Sequence, residues 1–171
     1  MIFLYYINFI FLYSFLGFVL ESMYFKFQNI NCHSGILKGP INLTYGLGVF
    51  ICYLVFKLLN LPNNIFSYLI HYLIFVILTS LIEFLIGHLI HFFLNIDKWD
   101  YTNYKIHFGK YLCLNNSLIW GILVFIVIYY IHSYFQQFIL LTIPTFFTKI
   151  LLIIFIIDFI ILIKNIIKTK K

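Results

Sequence analysis

The chain has no arginine and no alanine, and it is short of charge of either sign. Without arginine, no side chain can form the planar two-point grip on a phosphate or carboxylate that a guanidinium gives. Only five acids are present: Glu21, Glu83, Asp97, Asp100 and Asp158. Charged residues make up 9% of 171, against 64% hydrophobic, where a soluble domain is about a quarter charged. That polar surface is too small to coat a water-soluble globule, which leaves an integral membrane protein. The three cysteines, Cys32, Cys52 and Cys113, form no CxxC and no repeating spacing, so neither a zinc site nor a disulfide framework is indicated. Alanine and most arginine codons are GC-rich, whereas Lys, Asn, Ile, Phe and Tyr codons are AT-rich, so the bias reads as that of an AT-rich bacterial genome. The basic balance, +6 with 11 lysines, lies beside apolar runs, and no basic-aromatic patch on a soluble module suggests nucleic acid.

What is abundant is long apolar sequence. A spanning helix needs about 20 mostly apolar residues, and five stretches qualify: 2–27, 41–59, 65–94, 114–135 and 144–163, followed by a basic tail at 164–171. The expected fold is therefore an all-α integral membrane protein, a single multi-pass domain over 1–171 with about five transmembrane helices. The third stretch is long enough to tilt or to emerge at one end. Pro62 and Pro144 fall at boundaries, where a missing N–H does least harm. The first run lacks a basic start and a small-residue cleavage site, so it does not read as a removed leader.

Lysines set the orientation. Lys26, Lys38, Lys98, Lys105, Lys110, Lys164, Lys168, Lys170 and Lys171 fall on one side, and Lys57 and Lys149 on the other. The expected topology places the N-terminus outside and the C-terminus in the cytoplasm of a bacterial cytoplasmic membrane. Cys32 and Cys113 then face a reducing compartment.

A carboxylate in hydrocarbon costs about 2.5–3.5 kcal/mol even on lenient scales, so Glu21 and Glu83 require partners. Glu21 shares a helical stripe with Ser14, Gly17 and Tyr24; Glu83 shares one with Thr79, Gly87 and His91. Small and polar residues mixed in this way mark helix–helix contacts in membranes. Counted along its own span, Glu83 lies near the midplane and is expected to meet the helix of Glu21. Asp158 is expected to be structural, paired with a lysine such as Lys164. His88 and His91 do not make a zinc-protease helix, no P-loop or nucleophile elbow occurs, and no metal or cofactor is implied.

The longest polar passage is "KWDYTNYKIHFGKY" from Lys98, with Trp99, Tyr101, Tyr104 and Tyr111 suited to the headgroup level. A second polar loop, "GILKGPINLTYGLG" from Gly35, carries Gly39, Pro40 and Gly46 for tight turns. Together with "YSFLGFVLESMY" from Tyr13, "LIEFLIGHLIHFF" from Leu81 and "LCLNNSLIWG" from Leu112, these resemble the bacterial putative ABC-transporter type IV family, the CmpB-like permeases. That family's pattern runs Y-S-x-x-G-W-x-x-E, R-G-F-x-x-G-P-x-x-P-I-Y-G, L-E, W-W-D-Y-S, G-R-I-C-L and S-x-x-W-G. The match covers Tyr13 to Gly121 in order. Ser34 stands before Gly35 where the family has arginine, Leu43 or Thr44 replaces its second proline, Lys98 replaces a tryptophan, and Lys110 replaces an arginine.

The resemblance implies a permease-like or transport-associated membrane subunit, with transport requiring a homo-oligomer or a separate ATPase subunit. Its candidate site residues are Glu21, Glu83, Gly39, Pro40, Tyr45, Gly46, Trp99, Asp100 and Tyr101, in a cluster of cytoplasmic loops where the two polar loops pack together. Two rival functions are an enzyme using Glu83 and Asp100 as acid and base, and a scaffold without a small-molecule site.

Overall fold

A computed structural model describes residues 2–27, 29, 35–141 and 145–169. Cys32, Ser34 and Pro144, singled out above, lie outside the described residues. The protein is an all-α membrane protein. Its rods are α1 (Ile2–Phe27), α2 (Leu43–Leu59), α3 (Ile65–Leu94), α4 (Leu114–Ile126), α5 (His132–Leu141) and α6 (Thr145–Thr169). A π-helical segment, Val127–Ile131, joins α4 to α5. Helix is the form such a chain can take in lipid, because each backbone group is then satisfied within its own segment. Among the described residues, three helical stretches are long and apolar enough to cross a membrane: Phe3–Phe27, Ile65–Leu94 and Leu114–Gln136. The second expected span is a helix of 17 residues, about 26 Å long.

The chain divides into two compact units, 1–47 with 134–171, and 48–133. In the first unit, α1, the start of α2, and α6 pack closely. A Cβ on Gly17 would run into the ring of Tyr45, and a Cβ on Gly46 would run into Ser14 Oγ and the Ile10 carbonyl. Two glycines thus let α1 and α2 touch backbone to side chain, as small residues do between membrane helices. Thr148 on α6 donates to Asn8 Oδ1 on α1 at 2.7 Å, and both residues are buried.

In the second unit, α3 and α4 run antiparallel. Asn64 caps α3 by accepting from the Ser67 N–H at 2.9 Å, and Asn95 closes it in the left-handed region. Its buried residues are Ser67, His71, Phe75, Thr79, Glu83, Gly87 and Ile90. That four-residue ridge contains the expected Thr79–Glu83–Gly87 stripe. His91 leaves it, because four residues are more than one 3.6-residue turn and the ridge drifts around the helix. Ile90 takes the inward position.

Gly121 on α4 faces Val76 and Tyr72, and Tyr129 meets His71 at 2.6 Å. On α4 and beyond, Val124, Ile128 and His132 are all buried. The wider π turn keeps these fours on one face where a plain α-helix would drift.

The polar passage from Lys98 contains a short hairpin: β1 (His107–Phe108) pairs antiparallel with β2 (Leu112–Cys113), turned by Gly109 at φ 64°. The hairpin runs straight into α4. No strand was expected here, because two-residue strands are too short to show alternation.

Candidate functional site

The α3–α4 register determines where Glu83 lies. Its Oε1 accepts from Asn116 Nδ2 at 2.8 Å, and Asn116 stands in the first turn of α4. Glu83 is therefore level with the start of α4. From there α3 runs eleven residues further to Leu94, about 16 Å. Counted along its apolar span alone Glu83 is central; set against α4 it lies at the end of the helix pair. The extra turns of α3 are covered by the segment 95–113.

Tyr101 from that segment donates to the same Glu83 oxygen at 2.9 Å, and Asn116 Nδ2 also donates to the Tyr101 hydroxyl at 2.9 Å. The three groups close a triangle. Glu83 is buried, so the triangle provides what a sequestered carboxylate needs, donors at hydrogen-bond distance. The first turn of α4 adds the positive end of a helix dipole. Burial, then the charge of Glu83, pushes the Tyr101 phenol far above its ordinary value, so it stays a donor at any physiological pH.

The rest of the segment holds Tyr101 in place. Its backbone N–H bonds the Lys110 carbonyl at 2.8 Å, and the Trp99 indole donates to the Tyr111 carbonyl at 3.3 Å. Tyr111 is buried against Gly87, where a Cβ would come within 2.6 Å of its ring. Asp97 gathers Lys110 Nζ at 2.5 Å, the Tyr111 hydroxyl at 2.5 Å and His91 Nδ1 at 2.9 Å. Asp100 accepts from the Thr102 N–H at 2.9 Å and hydroxyl at 2.7 Å, and lies 3.7 Å from Lys110. That is an Asx turn. The Thr102 bonds hold the Asp100 carboxyl below its usual range. His88 bonds the Phe84 carbonyl at 2.9 Å, and its ring packs at a tilt against Phe84 and edge-on against Tyr111.

Acid should loosen this cap. Hydrogen bonds from Lys110, then Tyr111, hold the Asp97 carboxyl down to about 2 from 3.8. A depressed acid stabilises the fold above its unfolded pKa and loses that contribution as pH falls through the folded one. The stabilisation is thus complete above about pH 4 and fades toward pH 2. Trp99 fluorescence or backbone exchange over 97–111 should show an acid step in that window, and Asp97→Asn should shrink it to the part that Asp100 carries. An unchanged step in Asp97→Asn would assign it elsewhere.

The first unit holds the remaining candidates. Glu21 Oε2 accepts from Asn42 Nδ2 at 2.9 Å, and the Asn42 N–H reaches the Ser14 carbonyl at 3.1 Å. Tyr45 and Gly46 are the helix contacts described above. Asp158 does not need Lys164: its carboxylate accepts from the Gly39 N–H at 2.8 Å and the Lys38 N–H at 3.3 Å. It holds the loop just before Pro40. Glu21, Gly39, Pro40, Tyr45 and Gly46 thus belong to one unit, and Glu83, Trp99, Asp100 and Tyr101 to the other. Asn42 and Asn116 are partners of the candidate residues that sequence reasoning missed, and Asp158 was named with a different partner. The one signal for Asn116 was "LNNS", a polar patch opening an apolar helix.

The chain matches the profile of the family described as putative ABC-transporter type IV over residues 8–163. No curated protein and no solved structure matches it.

Proposed function

The chain belongs to the putative ABC-transporter type IV family, and from that membership we propose that it is a permease-like, transport-associated subunit whose working site is Glu83 with Tyr101 and Asn116. The observation that supports this is the buried Glu83 carboxylate at the mouth of a helix pair, gripped by two neutral donors from separate elements. A carboxylate this buried costs free energy wherever it lies, which makes it a candidate for ion or substrate binding. One that is closed over by a separate segment is suited to take and release a proton or a cationic group. In this reading Trp99 and Asp100 build the lid, while Glu21, Gly39, Pro40, Tyr45 and Gly46 form a second polar station. The subunit sits in a bacterial cytoplasmic membrane with the 95–113 segment on the cytoplasmic side, and a separate ATPase drives it. The acid–base enzyme reading is less well supported, since the Asp100 carboxylate is already taken by its own turn.

The test is flux. Purified from its native membrane in mild detergent, the chain should carry an ATP-hydrolysing subunit. In proteoliposomes, ATP-dependent solute movement by that pair should stop when the chain is omitted. A chain that purifies alone, and whose deletion leaves the accumulation of every solute tested unchanged, would overturn the proposal.

A further inference from the structure

The hairpin that leads into α4 does not close flush against α3. Between them lies a groove of about 480 Å³, walled by Ile77, Leu81 and Phe84 of α3, Ile106 and Phe108 of the hairpin strand and its approach, and Leu114 of α4. The volume is within the range of pockets that bind small molecules, about 300–1,000 Å³. Its walls are nearly all apolar, and the hydroxyl of Ser80 is turned back onto the Val76 carbonyl at 2.6 Å. Water gains nothing in such a space.

The outer flank of α3 indicates what fills it. Leu73, Ile77, Leu81 and Leu85 follow one another every four residues, and all are exposed. On a membrane-crossing helix this stripe faces hydrocarbon. Ile77 and Leu81 belong both to that stripe and to the groove, so the groove opens sideways into the bilayer. The hairpin adds Ile106 at 62% exposure and Phe108 at 72%, too apolar to face water from a polar segment. Lys105 and His107 alternate with them along the chain, at the level where α4 begins and headgroups would lie.

We propose that this groove binds one membrane phospholipid, an acyl chain lying between the hairpin and α3 with the phosphate beside Lys105. The lipid acts as a wedge that holds the hairpin against the helix pair. The proposal does not depend on what the protein transports.

Native mass spectrometry after exchange into lipid-free detergent should show one phospholipid per chain. Leu81→Trp fills the groove, and Phe108→Ser removes an exposed wall without a buried contact to lose. Each should lower the retained lipid about tenfold and raise backbone exchange over 106–113. Leu73→Trp, on the same flank but outside the groove, should retain the lipid. No retained lipid in the parent protein, or equal loss in Leu73→Trp, overturns the proposal. So does a photo-crosslinker at position 108 that labels a protein in intact membranes and no lipid.

Discussion

Glu83→Gln should insert, fold and keep its cap closed, yet fail to support the activity of the parent chain. Glutamine preserves the side-chain oxygen that Tyr101 and Asn116 share, at 2.9 and 2.8 Å. Its amide is also cheaper to bury than a carboxylate. Melting temperature and exchange protection over 95–113 should therefore match or exceed the parent. What glutamine cannot do is bind a proton reversibly or balance a cation. Glu83→Leu separates structure from function in the other direction. It leaves the Tyr101 hydroxyl and the Asn116 amide without their shared acceptor, a loss of about 1–3 kcal/mol, and protection over 95–113 should fall with activity. Full flux in Glu83→Gln would remove this residue from the site and favour the scaffold reading.

The second large effect lies in the other unit. Gly46→Ala should destabilise the protein by about 1–3 kcal/mol, and Gly46→Val by more. The new Cβ meets the Ile10 backbone carbonyl as well as Ser14 Oγ, and a carbonyl in a helix cannot rotate aside. The helices α1 and α2 must separate, which breaks the Asn42 N–H bond to the Ser14 carbonyl. Two residues along, a Cβ at Gly48 meets nothing within 4 Å, so Gly48→Ala should be neutral or gain about 0.5–1 kcal/mol from reduced backbone freedom. Thermal unfolding of the two variants in one detergent checks the contrast. Equal behaviour would show that α1 and α2 do not make this contact.

Helices were the legible part of this chain. α3 begins and ends where its apolar run does, because Asn64 and Asn95 bracket it with side-chain and left-handed caps. The Thr79–Glu83–Gly87 stripe was legible for the same reason, since period and composition coincide on one face. Partners were not legible. Glu83 meets Asn116 across 33 residues, and Gly39 meets Asp158 across 119. Periodicity says which face of a helix turns inward but not which loop returns to cover it. The level of Glu83 within the helix pair was not legible for a related reason. Position along α3 is a property of one segment, while the level of Glu83 is set by where its neighbour α4 starts. Asp158 looked like half of an ion pair because sequence displays charged side chains and hides backbone N–H groups, which are its actual donors.

The π segment has a consequence for length. Over Val127–Ile131 each turn holds more residues than an α turn. A deletion of one residue inside those five lets the chain wind back to an ordinary helix with both flanking faces still in place. The same deletion in α3, or earlier in α4, turns everything beyond it by about 100° and carries buried residues such as Phe75 or Val124 out to the lipid. Relatives of this chain that differ by one residue in this span should carry the gap between 127 and 131.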